Sequence, residues 1–227
     1  MKRVSHITIL NKESRRSFLK KFSAAVTVVF VSSCKDDPAN TIVNLKAAIT
    51  TEVNANAIYT AFSAKAKEEK YWKIANMFRA AAYAEEIHAK NHNEVLKNLG
   101  EPELKPTAET PTVKSTAENL LTAINLETKE YQEIYPDFIS TAQKEKCDAA
   151  VVSFTRAADA EQNHAGEFSE ALRVLKDLDS EAALPSVWFV CEQCGAIFKL
   201  PFQKCGICKA DTERQHFVPK VFETEIH

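Results

Sequence analysis

The chain has 227 residues, net charge −2, 45% hydrophobic and 26% charged residues, the make-up of a soluble globular protein with enough length for one large or two modest domains. No run of 18 or more apolar residues is present, which excludes a polytopic membrane protein. Only four glycines occur, two of them (Gly195 and Gly206) near the C-terminus, so most of the chain lacks the turns of a β architecture and reads as mainly α.

Residues 1–33 carry Lys2, Arg3, Lys12, Arg15, Arg16, Lys20 and Lys21 against Glu13 alone, followed by the apolar run 24–31. A basic flank followed by a short apolar core reads as a signal peptide. The run 14–20, SRRSFLK, resembles a twin-arginine export signal, and 31–34, VSSC, resembles a lipobox. The expectation is export, cleavage, a lipid on the Cys34 sulfur that leaves it unavailable for a disulfide, and a tether over 34–40, with the protein anchored to the cell envelope on its periplasmic or surface side. Lys35-Asp36-Asp37 is similar to a surface-sorting signal. Without residues 1–33, 22 bases face 30 acids, a net charge near −8, so nucleic acid is excluded as a partner.

Residues 41–99 and 115–177 are rich in Ala, Glu, Lys and Leu, and the stretch between them holds Pro102, Pro106 and Pro111. Displacing the chain by 76 residues aligns 59–89 with 135–165 without a gap, with twelve identities in 31 positions where residue usage predicts roughly two. Matched pairs include Tyr59/Tyr135, Ala66/Ala142, Glu69/Glu145, Lys70/Lys146, Glu85/Glu161 and His88/His164. This repeat predicts two helical hairpins that turn near Glu69-Lys70 and Glu145-Lys146 and form a four-helix bundle over 41–178, with 100–115 as the crossover. Pro136 predicts a kink or bulge in the third helix.

Glu85-x-x-His88 and Glu161-x-x-His164 each set a carboxylate and an imidazole one turn apart on an alanine-rich face. One such pair has a solvated surface as its plain explanation, but duplication at equivalent positions argues for an inward site. Glu52 is the lone acid between Ile49 and Phe62, and the third helix adds Glu127 and Glu130. Five carboxylates and two imidazoles on one axis call for cations, and oxygen with imidazole donors suits two iron or manganese ions. His92, whose repeat counterpart is Phe168, reads as a surface or packing residue, and Cys147 as a small buried apolar one.

Cys191-x-x-Cys194 and Cys205-x-x-Cys208 are two knuckles of a tetrahedral four-thiolate site over 186–227. The competing explanation is a pair of disulfides, against which Gly195 and Gly206 let backbone amides turn toward the sulfurs. Spacing alone accepts iron or zinc.

These motifs, in this order, resemble the rubrerythrin family: a ferritin-like di-iron four-helix bundle followed by a small rubredoxin-like ribbon with a four-cysteine metal site. The segments 52–59 and 131–136 are similar to that family's first- and third-helix segments. The resemblance implies Glu52, Glu85, His88, Glu127, Glu130, Glu161 and His164 as di-iron ligands, with Glu130 the carboxylate that exchanges with His88, and Tyr59 and Tyr135 bonded to carboxylate ligands. It implies an Fe(Cys)4 centre, hydrogen peroxide as substrate, an electron donor that it does not identify, and a head-to-tail homodimer in which the ribbon of one subunit lies near the di-iron site of another. The expected activity is a non-haem di-iron peroxidase in oxidative stress defence. The alternative is an iron-oxidising or iron-binding lipoprotein with a structural zinc ribbon, since Cys205-Gly206-Ile207-Cys208 lacks the family's usual proline, the inter-knuckle loop is short, and Ala196 stands where an aromatic is usual.

Overall fold

The computed structural model describes residue 34 and residues 37–178 and 180–219. The proposed signal peptide and residues 35 and 36 of the sorting motif lie outside them. The main elements are α1 (Ala39–Glu68), α2 (Trp72–Asn98), α3 (Thr116–Lys129), a π-helical turn (Glu130–Ile134), α4 (Tyr135–Lys144), α5 (Asp148–Leu178), β1 (Trp188–Cys191), β2 (Ile197–Phe198) and β3 (Gln215–Val218). α3, the π turn and α4 run on as one interrupted helix, giving a four-helix bundle with a three-stranded antiparallel ribbon of order β2-β1-β3.

The repeat is visible in how the hairpins turn. Lys70 and Lys146 both take left-handed backbone, at φ 67° and 55°, and the next amide reaches back to a matched carbonyl, Tyr71 to Ala66 and Cys147 to Ala142, both at 2.8 Å. The matched acids then cap across the molecule. Glu69 accepts from the Thr116 amide at the start of α3 (2.9 Å), and Glu145 accepts from the Asn40 and Thr41 amides at the start of α1 (3.2 and 2.8 Å). Both carboxyls are held below their ordinary range: burial alone would raise them, and the bonds to Thr116 and to Thr41 outweigh it. Such a carboxylate adds stability above its ordinary pKa and loses it as pH falls through the folded-state value. Glu145→Ala is therefore expected to cost about 1 kcal/mol in denaturant melts at pH 7 and less near pH 3.

Of the kink or bulge expected at Pro136, the structure has the bulge, as a π turn just before it. The Tyr135 amide bonds the Glu130 carbonyl, five residues back, immediately before the proline that cannot donate. The turn also adds a residue: Tyr59 follows Glu52 by seven positions, whereas Tyr135 follows Glu127 by eight. The extra residue restores the equivalence of the two halves in space.

Tyr59, Phe62, Phe78 and Phe168 stack at one end of the bundle, with ring centroids 5.3–6.4 Å apart, and Tyr135, Phe138 and Phe154 do so at the other. Each buried phenylalanine adds roughly 1.5–3 kcal/mol, and the metal-binding residues occupy the layer between the stacks.

The ribbon docks on its own bundle. Glu181, in the connection after α5, accepts from the Lys73 and Ile74 amides (2.8 and 3.0 Å), and Trp188, Val190, Ile197 and Val218 join the apolar core formed by α1, α2 and α5. Asn163 accepts from the Ile197 amide at 2.8 Å. Within this chain the ribbon therefore packs against α2 and α5 of its own bundle.

Two cysteine readings also change. Cys34 is bonded to Cys147, because the start of α1 lies against the α4–α5 turn where Glu145 caps it. Cys147 is buried, as expected, but as half of a cystine, and Cys34 is not withheld from disulfide chemistry. One sulfur cannot carry both this bond and a lipid.

Candidate metal centres

α2 and α5 run side by side with their Glu-x-x-His motifs facing. Glu161 places one oxygen 2.8 Å from His88 Nδ1 and the other 2.8 Å from His164 Nδ1. Glu85 spans the same two rings, at 2.9 Å from His88 and 3.5 Å from His164. Glu52 of α1 stands 3.8 Å from the His88 ring, and Glu127 of α3 stands 3.7 Å from that of His164. Two four-residue groups result, Glu52-Glu85-His88-Glu161 and Glu85-Glu127-Glu161-His164, each with its ligand atoms within 4.8 Å of one another. Glu85 and Glu161 are shared, the arrangement of two metals bridged by two carboxylates. Glu130 is buried beside them but belongs to neither group.

The rings are turned by the ribbon. His88 Nε2 donates to the Cys194 carbonyl at 2.9 Å and His164 Nε2 to the Gly195 carbonyl at 3.2 Å. Committing Nε2–H outward leaves each Nδ1 lone pair aimed at the carboxylates, as metal-ligating imidazoles require. Burial alone would depress the His88 imidazole, but Glu161, Glu52 and Glu85 hold it well above its ordinary value; Glu127 and Glu161 do the same for His164. Burial raises Glu85, Glu130 and Glu161, with neighbouring carboxylate charge adding to it. Glu52 goes the other way, its burial outweighed by bonds to His88 and His92.

The donors fit metal on the structure's own terms. Glu52 Oε2, Glu85 Oε1, both Glu161 oxygens and His164 Nδ1 are buried without a hydrogen-bond partner. Unpaired carboxylates in such a place cost several kcal/mol each, and two cations satisfy them together. Carboxylate and imidazole donors suit iron.

Tyr59 donates to Glu127 at 2.5 Å, and Tyr135 donates to Glu52. The tyrosine of each half thus bonds a carboxylate of the other. Of the two readings of His92, surface or packing, the packing one holds: it is fully buried against Tyr135 and Phe154 and bonded to Ser153 and Tyr135. Its position one turn past His88, on the inward face, was the available signal.

In the ribbon, Cys191 and Cys208 sulfurs lie 3.6 Å apart and those of Cys194 and Cys205 3.7 Å apart. All four are free and mutually within 4.8 Å, against the disulfide explanation and near the roughly 3.8 Å edge of a tetrahedron with 2.3 Å metal–sulfur bonds. Ala196 is fully buried against Ala160 of α5, where an aromatic would hold the ribbon off. Gly195 is tighter still: a Cβ there, at φ 79°, would lie 2.2 Å from His88 Nε2.

Two clefts flank the crossover segment. One of about 450 Å3 reaches Glu52 and Glu85 beneath residues 103–106, and the other, of about 420 Å3, reaches Glu130 beneath residues 109–112.

The rubrerythrin family profile matches residues 43–172. The chain is 38% identical to nigerythrin of Nitratidesulfovibrio vulgaris over 179 residues, 78% of this chain and 86% of that protein. It is 31% identical to rubrerythrin-2 of Clostridium acetobutylicum over 72% of this chain and 89% of that one. A solved structure of fully reduced, all-ferrous nigerythrin superposes with a TM-score of 0.72 at 32% identity, covering 92% of this chain and all of that one. A bacterioferritin of Mycobacterium tuberculosis, at 14% identity and a TM-score of 0.58, shares the fold.

Proposed function

The chain belongs to the rubrerythrin family, and we propose that it is a peroxidase that reduces hydrogen peroxide to water at a di-iron site fed with electrons by its own Fe(Cys)4 centre. The donor set fits two irons plus one Fe(Cys)4. The observation that carries the reading is the pair of bonds from His88 and His164 to the Cys194 and Gly195 carbonyls. Each joins an imidazole of one centre to the knuckle of the other through a single hydrogen bond.

When bound, the two irons supply the electron pair that cleaves the O–O bond, and the thiolate-bound iron replaces those electrons one at a time. The chain does the rest. Glu85 and Glu161, shared by both groups, would hold the two irons, with Glu52 and His88 as further ligands in one group and Glu127 and His164 in the other. Tyr59 and Tyr135 keep Glu127 and Glu52 in place by donating to them. Glu130, outside both groups and lining a cleft, is the carboxylate that would exchange with His88. The clefts admit a small neutral oxidant, and the crossover above them limits bulk water.

Cys205→Ser tests the division of labour. The variant is expected to lose one iron per chain and its donor-dependent turnover, while prereduced protein still reduces one equivalent of peroxide. Loss of that single round would contradict separate roles for the two centres.

The proposal places the protein outside the cytoplasm, delivered by its twin-arginine-like segment, as a homo-oligomer. An oxidising compartment suits the Cys34–Cys147 bond. An intact mass of the exported chain distinguishes the two fates of the Cys34 sulfur, since a lipid thioether adds acyl mass and the cystine removes two hydrogens.

A further inference from the structure

The two clefts at the crossover differ in chemistry. The one that reaches Glu52 and Glu85 has walls of both charge signs, Lys90, Lys97 and Lys105 with Glu86, Glu94 and Glu103. The one that reaches Glu130 has no base among its lining residues, and its walls are largely hydrocarbon. On α1, Ala55, Ile58 and Phe62 fall at spacings of three and four, which is one face of the helix. Thr122 and Leu126 stand one turn apart on α3, and Pro111 belongs to the crossover above. That roof is held in place, because the Glu109 amide donates to Asn54 Oδ1 at 2.9 Å. Glu130, the first residue of the π turn, is part of the same lining and is buried beside the metal-binding groups. The cleft is thus an apolar recess between exposed crossover residues, Glu109, Thr110 and Thr112, and a carboxyl of the di-iron layer.

Its size and charge say what it suits. A volume of about 420 Å3 falls in the range of pockets that hold drug-sized molecules, roughly 300–1,000 Å3, whereas an oxidant of two oxygens needs only on the order of tens of Å3. Hydrocarbon walls gain nothing from a small polar oxidant, but they gain from burying a hydrocarbon group. Glu109 and Glu130 are the only ionisable side chains in the lining, so a carboxylate-bearing tail is repelled and an uncharged one is not.

We propose that this cleft is a substrate site for neutral organic hydroperoxides, with the hydrocarbon group against Ile58, Phe62 and Leu126 and the hydroperoxide at the Glu130 end. The inference rests on the peroxidase reading and gives it a second substrate class. In the step, the O–O bond breaks, the two electrons held by the reduced site pass to its oxygens, and two protons from solvent complete one alcohol and one water. Hydrogen peroxide keeps the charged cleft as a separate way in.

Cumene hydroperoxide serves as the probe oxidant, and its alcohol, 2-phenyl-2-propanol, as a probe that does not react. In the full chain loaded with zinc in place of iron, the alcohol is expected to bind and to shift the methyl NMR signals of Ile58 and Leu126. Thr122→Phe fills the cleft from α3, and its lost hydroxyl bond is only to the Glu118 carbonyl of its own helix. Ile58→Thr instead trims the opposite wall and makes it polar. Each variant is expected to bind the alcohol about tenfold more weakly. In prereduced iron-loaded protein, each should raise the half-saturating concentration of cumene hydroperoxide by a similar factor and leave oxidation by hydrogen peroxide unchanged. Alcohol binding that neither variant weakens, or reduction of hydrogen peroxide without reduction of cumene hydroperoxide, would overturn the substrate site and leave the peroxidase reading standing. Reduction of neither oxidant by loaded protein would overturn the peroxidase reading and the substrate site with it.

Discussion

Gly195→Ala is expected to cut electron delivery to the di-iron site while leaving both metal centres loaded. A methyl group at this position would lie 2.2 Å from His88 Nε2 and 2.8 Å from its Cδ2, on backbone at φ 79° that disfavours any side chain. Retreat of His88 would carry its Nδ1 away from Glu85, Glu161 and Glu52. The ribbon must therefore lift, and the bonds from His88 to Cys194 and from His164 to Gly195 open together. Misplacement by about 1 Å costs on the order of 10²-fold in steps that depend on such geometry. Stopped-flow spectra would separate a fast, unchanged oxidation of the prereduced di-iron site from a slowed oxidation of Fe(Cys)4 behind it. Unchanged transfer would mean that the His88–Cys194 contact is not the route.

The second large effect concerns Glu161, whose two oxygens serve both rings. Glu161→Ala removes a shared ligand from both four-residue groups, so iron is expected to fall from about three to about one per chain, the remainder in the four-cysteine site. Without metal the sign reverses. Glu85, Glu130 and Glu161, and likewise His88 and His164, have folded-state pKa values raised above their ordinary ones. At these five groups the folded apoprotein holds protons that the unfolded chain releases, whereas Glu52 and His92 shift the opposite way. Groups with raised values stabilise most below their ordinary pKa, and that stability is lost as pH rises through the folded-state value. The apoprotein should lose stability from about pH 4.5 upward, and Glu161→Ala should make it more stable near neutrality. The iron-loaded protein should behave oppositely, losing metal on acidification because its ligands must be deprotonated. Parallel melts of both forms across pH 4–8 would check the crossing.

Much of this was legible because the chain says it twice. The matched Glu-x-x-His motifs place two bridging carboxylates and two rings on facing helices, and the matched Glu69-Lys70 and Glu145-Lys146 locate both hairpin turns. The knuckle spacing announces four clustered sulfurs. The repeat was less informative where the halves differ. His92 has no partner in it, so burial could be seen only once α2 was set against Tyr135 and Ser153. The π turn was announced by Pro136 as a distortion, but its effect, aligning Glu127 with Glu52, depends on the register of a whole helix. Cys34 and Cys147 lie 113 residues apart, and pairing across that distance follows from where α1 begins relative to the α4–α5 turn. The docking of the ribbon on its own bundle rests on Glu181 accepting from the Lys73 and Ile74 amides at the start of α2, which no local pattern encodes.

Whether one chain holds a di-iron site and an iron-filled four-cysteine centre in electronic contact is decided by metal content and the visible spectrum of the purified protein, as isolated, reduced, and after one equivalent of peroxide. About three irons per chain are expected, with thiolate-to-iron bands that bleach on reduction and return when peroxide is added. Two irons and one zinc, or thiolate bands that stay bleached after peroxide, would contradict it and leave a di-iron protein without its relay.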